Sequence, residues 1–426
     1  MPAKARSRGA SPYEIDGRAP SRTLEPASET ELADLLRIAN SAGDAVVPVG
    51  GGTLLSLGNP PRRYDVAIST ARLSRVEQFD HRDLTIGVGA GMPVAQLSAT
   101  LAEHRQFVPL DVPRPAQATV GGTLAAGWLG PRRLAYGRPR DLLIGTTTVL
   151  ADGTRARAGG MVVKNVSGYD LSKLYVGSLG TLGIIVRANF KALPLPAQFR
   201  LAVAPLPERT RARAVAHVQR LDVEPTAALL IDGFRDVLPF ELGVEGAIVL
   251  VLEGSPAAVE RATRGTRSAL GAAGVPETRI IDAGARETFA RLLDTYVATI
   301  AGRSLTLRSL GLPEGVLERE GAAREALRPT PALLETIIDL RCGDVIARIF
   351  VDGKLDPLAV RGTLSDAVAM LRTRLPDAAI LARGLTVDGE IDAWGTPPPA
   401  LDLMKEIKAR FDPRDTLAPG RLAGGI

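Results

Sequence analysis

Cysteine is nearly missing from these 426 residues. The single one, Cys342, cannot close a disulfide within the chain and leaves no set of thiolates for an iron–sulfur cluster or metal site. Histidine is almost as scarce: His81, His104 and His217 are too scattered to form H-E-x-x-H or any local cluster. Only seven of the 52 basic residues are lysine, and with 47 acidic residues the formal charge is +5, too balanced for a nucleic-acid footprint. Aromatic residues make up 4%, which leaves little to stack on bases. No run approaches the ~18 apolar residues of a membrane span. The opening "MPAKARSRGASPYEIDGRAP" is basic without an apolar core segment, so residues 1–12 read as a loose arm rather than a secretory signal. G-x-x-x-x-G-K-[ST], G-x-G-x-x-G and G-x-S-x-G are all absent, which removes the commonest nucleotide-binding and hydrolase motifs.

Glycine, by contrast, is abundant at 44 residues, and it is clustered. Ser28 and Glu31 have capping-box spacing, and Leu32, Leu35, Leu36 and Ala39 share a helical face that should end near Gly43. "DAVVPVG" follows as a short buried strand, a βαβ-like opening that runs into Gly50, Gly51 and Gly52. From Asp83 to Phe107 the pattern recurs: Leu84, Ile86 and Val88 alternate, Gly89 and Gly91 turn, and Leu97, Leu101 and Ala102 line a helix. "DLLIGTTTVLADGTRARA" reads as a hairpin turning at Asp152-Gly153, and "LGIIVRANFKAL" as another strand. Past Pro194 and Pro196 the texture changes. Helical stretches (209–219, 256–271, 287–297) alternate with strands such as "GAIVLVLEG" and "DVIARIFVDG", an α+β pattern. The tail begins as an amphipathic helix with Leu403, Met404, Ile407 and Phe411 on one side and stops at Pro413.

Adjacent glycines are costly to order and are kept where φ is positive or where something approaches the backbone closely. Two readings follow. The glycines serve tight turns in a strand-rich unit, or several Gly-rich turns converge on one extended anion held by backbone amides. The lysine shortage agrees with the second, and spacing alone leaves both open.

The longer segments occur in a fixed order: "VPVGGGT", "PAQATVGGTLAAG", "GPRRLAYGRPRDLLIG", "GGMVVKNVSGYDLSKLYVGSLGTLGII" and "FDPRDTLAPGR". Together they resemble the FAD-binding type-2 domain of the vanillyl-alcohol oxidase / p-cresol methylhydroxylase superfamily. Within it, the chain looks most like the FAD-binding second subunit of bacterial glycolate oxidase, as do "YEIDGRAP" and "DLTIGVGAGMPVAQL". The likeness is dense from Tyr13 to Pro196, thin beyond, and returns at Phe411–Arg421. It implies an α+β protein: a two-part FAD-binding PCMH-type domain (13–196), an α+β oxidase cap domain (197–402), and a C-terminal helix and tail (403–426) packing back on the first. Val49, Gly50, Gly51, Gly52 and Thr53 would wrap the FAD pyrophosphate. Thr119, Gly121, Gly122, Ala125, Ala126 and Gly127 would form a second wall. Lys164, Asn165, Gly168, Tyr169 and Asp170 would shape the pocket near the flavin, although Lys164 and Asp170 suit a structural ion pair or cap equally. Gly177, Ser178, Gly180, Thr181, Gly183, Ile184 and Ile185 would return against the adenine and ribose end. Trp128 is expected to pack rather than to stack on the flavin. With no His or Cys in or beside "GGGTLLSLG", the FAD is expected to be non-covalent.

Oxidising a 2-hydroxy acid requires a base for the hydroxyl proton, a cation for the carboxylate and a flavin to accept the hydride. Relatives that dehydrogenate D-2-hydroxy acids carry G-D-G-N-x-H, and nothing of that form stands between Pro196 and Ile426. No catalytic residue or metal ligand is therefore assigned. Arg308, in "LTLRSLGLP", suits a carboxylate or an acidic neighbour in the core; His217 reads as exposed on a helix, and Asp388 and Glu390 as a solvated turn. The resemblance implies an FAD-binding oxidoreductase subunit that docks to a catalytic flavoprotein and an iron–sulfur subunit. Such a chain is expected in the cytoplasm, or at the inner membrane through its complex. A self-sufficient FAD oxidoreductase and a non-catalytic scaffold are the alternatives.

Overall fold

The computed structural model describes residues 13–162, 169–234, 237–241, 246–275, 277–353, 356–384 and 391–426. The arm of residues 1–12, Lys164, Asn165, Gly168, Asp388 and Glu390 lie outside them.

The helix Glu29–Ala42 begins where Ser28 Oγ accepts from the Glu31 amide and ends at Gly43, whose φ of 78° is left-handed. Its buried Leu32, Leu36 and Ala39 cover a three-stranded parallel sheet ordered Arg22–Leu24, Val66–Ser69, Val46–Val49. A second sheet is five-stranded and antiparallel: Val76–Asp80, Thr85–Gly89, Ile184–Lys191, Leu143–Val149 and Arg155–Gly159. The Asp152-Gly153 turn closes its last hairpin, with Gly153 at φ 82°. Leu84, expected inside the strand, stands just before it at φ 54°, and Ala102 is exposed rather than packed.

The second half forms an eight-stranded antiparallel sheet with helices Arg211–Gln219, Pro256–Ala272, Val316–Leu327 and Pro357–Arg374 against one face. Its other face turns toward the first half. There Leu201, Val203, Leu229 and Val249 join Ile86, Val88, Ala188 and Phe190 of the five-stranded sheet in one apolar cluster, with Phe289 and Leu292 of helix Ala285–Thr295 between them. The result is a mixed α/β architecture.

The tail helix Leu401–Phe411 packs Ile407 and Phe411 against the core, with Met404 half-buried, as its amphipathic pattern predicts, and departs from that pattern at Leu403. Leu403 is 57% exposed, and the side chain the helix buries is Lys408. Lys408 Nζ donates to Thr181 O (3.1 Å) and Leu417 O (2.8 Å) and pairs with Asp412 at 2.6 Å. Buried charge survives only when paired in this way. The Asp412 carboxylate in turn accepts from the Thr416 and Leu417 amides. That turn lets Leu417 bridge Val46, so the end of the chain lies against the first sheet. Among the described residues no helix is long and apolar enough to cross a membrane.

Candidate cofactor and substrate site

Strand Val46–Val49 emerges from the first sheet directly into the glycine triplet. Thr119 caps helix Val120–Ala126, its Oγ1 accepting from the Gly122 amide at 3.2 Å. These two segments and the turn before strand Ile184–Lys191 enclose a narrow cleft of about 90 Å³. Of the residues expected here, Val49, Gly50, Gly51, Gly52, Thr53, Thr119, Gly121, Gly122, Ala125, Ala126, Gly180, Gly183, Ile184 and Ile185 line it.

The glycines have a packing reason. A Cβ on Gly50 would lie 2.1 Å from Thr119 Oγ1, on Gly51 1.7 Å from Gln117 O, on Gly121 2.6 Å from Ala90 Cβ, and on Gly180 2.3 Å from Pro48 Cγ. Gly52 adds a φ of 73°. What approaches Gly50 and Gly51 is thus first of all the other wall of the cleft. The missing side chains hold the walls together and leave backbone facing the space between them.

The remaining expected residues sit elsewhere. Gly127 ends the helix at φ 60°, its position for a Cβ 2.9 Å from Gly177 Cα. Ser178 and Thr181 hydroxyls donate to Tyr175 O and Ser178 O and fix the turn beneath the cleft. Tyr169 is exposed, and Asp170 accepts from the Ser172 amide and pairs with Lys173 at 3.6 Å, a local cap. Arg308 takes the core reading: its Nε and Nη2 bond Asp344 and its Nη1 donates to Leu129 O at 3.1 Å. Trp128 packs, buried, with Nε1 donating to Asp111 O. His217 is half-buried rather than exposed.

Val47, Pro48, Leu54, Leu55, Thr70, Leu179 and Arg421 also line the cleft, and sequence reasoning did not name them. Most flank an expected residue by one or two positions. Arg421, last in "FDPRDTLAPGR", is the important omission. It is fully buried, its Nη2 donates to Leu55 O (2.8 Å) and Leu57 O (2.6 Å), and its Nη1 has no partner. Burial depresses its pKa to about 10, with Asp16 working in the opposite direction. A cleft of apolar side chains and bare backbone with one unpartnered guanidinium nitrogen on its wall fits an extended, flat, anionic cofactor.

Beyond Gly52, Thr53 and Leu55, which wall both spaces, opens a second cavity of about 850 Å³. Its wall joins the turn Glu14–Gly17, Arg114, the segment from Asp294 to Thr299, Arg361 and Ala382–Gly384. Arg383 Nη1 donates to Asp16 Oδ2 (2.9 Å), Ser56 O (2.7 Å) and Gly58 O (3.0 Å). Arg383 and Arg421 together therefore hold four successive carbonyls, Leu55 to Gly58, from beneath the glycine loop. Burial raises the Asp16 pKa, against the pull of Arg383 and Arg421. Neither cavity wall contains His or Cys among the described residues, nor do three His, Cys, Asp or Glu side chains gather there as a metal site would need.

Residues 20–159 match the family described as FAD binding domain. Glycolate oxidase subunit GlcD of Bacillus subtilis (strain 168) is 27% identical over 95% of this chain and 89% of its own length. Glycolate oxidase subunit GlcE of Escherichia coli (strain K12) is 32% identical over 47% of this chain, a match covering 56% of that protein. Among solved structures, substrate-bound p-cresol methylhydroxylase superposes with a TM-score of 0.71 at 17% identity, over 94% of this chain and 88% of that one. The chain thus carries an FAD-binding domain within the fold of p-cresol methylhydroxylase.

Proposed function

We propose that this chain, with its FAD-binding domain, is a flavin-dependent oxidoreductase acting on the CH–OH group of a 2-hydroxy acid such as glycolate, and the FAD-binding subunit of a multisubunit oxidase. One observation carries the reading: the glycine-walled cleft with its unpartnered Arg421 nitrogen opens, through Gly52, Thr53 and Leu55, onto a second cavity with arginine in its wall. A cofactor site joined to a space for a small acid is what such a reaction needs.

The cleft residues would hold FAD non-covalently, with glycine-loop amides and Arg421 toward its anionic portion. When bound, FAD supplies the hydride acceptor. The chain's own part is to bind and orient: Arg383 and Arg421 fix the loop between the two spaces, and the larger cavity receives the acid. That two relatives are named as glycolate oxidase subunits supports the assembly role, with the electrons passing to a partner flavoprotein and an iron–sulfur subunit.

The test is direct. The purified protein should carry a visible flavin band that acid releases, and anaerobic glycolate should bleach it, either alone or with co-purifying iron–sulfur and flavoprotein subunits. Bleaching of the isolated chain would make it self-sufficient. Failure to hold FAD on purification or reconstitution would overturn the reading.

A further inference from the structure

We infer that Arg114 binds the carboxylate of the acid substrate in the larger cavity. This rests on the oxidoreductase reading above, whose substrate site it specifies. Three arginines wall that cavity: Arg114, Arg361 and Arg383. Arg383 is closed to it, because its Nη1 is committed to Asp16, Ser56 and Gly58 and its Nε and Nη2 have no accessible surface. Arg361 comes from helix Pro357–Arg374 of the second half. Arg114 is exposed, and its Nη2 donates to Thr53 O at 2.7 Å. Thr53 walls the cofactor cleft as well, so this guanidinium stands at the boundary of the two spaces.

The bond to Thr53 leaves most of its donors open. Among the described residues, Nε and Nη1 of Arg114 bond nothing. A guanidinium presents two parallel pairs of N–H bonds, Nε with Nη2 and Nη1 with Nη2. Thr53 O takes one Nη2 hydrogen and so occupies one pair. The other pair stays whole and matches the two oxygens of a carboxylate. Arg132 shows such a pair in use, its Nε and Nη2 turned to Asp111 at 2.9 and 2.6 Å. The acidic residues of the cavity wall are Glu14, Asp16 and Asp294, and none of them forms an ion pair with Arg114. Asp16 is held by Arg383, and Asp294 Oδ1 accepts from the Arg114 backbone amide at 2.6 Å.

The backbone is strained to put the arginine there. Arg114 has a left-handed φ of 50°, although Pro115 pushes the residue before it toward extended backbone. Such a conformation persists only where its surroundings over-determine it. Here Asp294 takes the Arg114 amide, and Arg114 O accepts from the Gln117 and Ala118 amides, both at 2.9 Å. Gln117 O in turn lies against Gly51. Arg114 is thereby fixed between the glycine loop and helix Ala285–Thr295 of the second half. Among the described residues seven besides glycine have positive φ; Asp16 and Arg114 wall this cavity, and Leu179 walls the cofactor cleft. Strain gathers at binding sites in this way, and solvation of a surface arginine asks for none of it. A 2-hydroxy acid held by its carboxylate on Arg114 has its hydroxyl-bearing carbon one bond further on, beside the cofactor boundary.

Arg114→Gln removes the charge and the parallel pair, and Arg114→Lys keeps the charge alone. The probe is oxalate, titrated into the FAD-loaded proteins and followed by flavin absorbance and by calorimetry. Expected is oxalate affinity at least ~10-fold weaker in Arg114→Gln and weakened in Arg114→Lys, with FAD content and melting temperature unchanged. The KM for glycolate should rise more than kcat falls. A role limited to the Thr53 bond would instead lower FAD content and leave the loaded fraction with wild-type oxalate affinity. That result overturns the proposal, as does a wild type that binds no oxalate, and both leave the FAD reading standing. If neither variant folds, a wild-type crystal soaked in oxalate decides: oxalate on the Arg114 guanidinium supports the assignment, and oxalate elsewhere or none overturns it. If the wild type holds no FAD, the cofactor reading falls separately, and oxalate calorimetry on the cofactor-free proteins still tests Arg114, equal affinities overturning it.

Discussion

A Cβ on Gly51 would sit 1.7 Å from Gln117 O, whereas one on Gly122 would meet only Thr119 Oγ1 at 3.0 Å and then Gly50 Cα at 3.9 Å. The two glycines line the same cleft for different reasons, and this yields opposed outcomes. Gly51→Ala forces the walls apart and should lower melting temperature and flavin content together. Gly122→Ala lies inside a helix, where alanine is favoured over glycine by ~1 kcal/mol, so its melting temperature should hold or rise while flavin content falls. Calorimetry and the flavin-to-protein ratio check both. The triplet was conspicuous in the sequence, but the reason for Gly51 was not. Its neighbour is a carbonyl 66 residues further along, and only the fold brings that carbonyl to it. Arg421 and Arg383 were illegible in the same way. Nothing in their local pattern marks a buried guanidinium, and Arg383 finds Asp16 across 367 residues.

At the scale of elements, the tail helix tests how far periodicity can be trusted. A 3.6-residue apolar pattern reports one face, and its Ile407 and Phe411 do pack; where the helix lands decides the rest, leaving Leu403 exposed and burying Lys408 as well. Removing one partner of a buried pair leaves the other charge uncompensated. Lys408→Met should therefore cost about 3–5 kcal/mol in urea unfolding, and Leu403→Ala under about 0.5 kcal/mol. The first strands and helices were far more legible. The Ser28 cap, the Gly43 stop and the Asp152-Gly153 turn are local devices whose partners lie within a few residues.

Across the whole molecule, the two halves are joined by arginine as much as by apolar contact. Arg132, in the first half, is buried between Asp111 and Glu253, with the rings of Phe107, Tyr136 and Phe289 within 5.8 Å of its guanidinium carbon. Burial alone would lower its pKa, and the two carboxylates hold it above its ordinary value. Its neighbour Arg133 reaches Asp339 and Asp344 across the same seam. Arg132→Met should cost about 3–5 kcal/mol, and unfolding followed by circular dichroism and by fluorescence of Trp128 and Trp394 should lose its coincidence as the halves uncouple. A single coincident transition at the wild-type midpoint would show that the apolar cluster alone joins them. By itself the sequence determined most of the elements, the glycine segments and the FAD-binding domain, because caps, turns and strand alternation are short-range and written in adjacent residues. Tertiary structure alone decided which arginines are buried, which carboxylates they face and which guanidinium edge stays empty. Charge pairing inside a protein depends on where distant segments are brought together, and no local pattern records that.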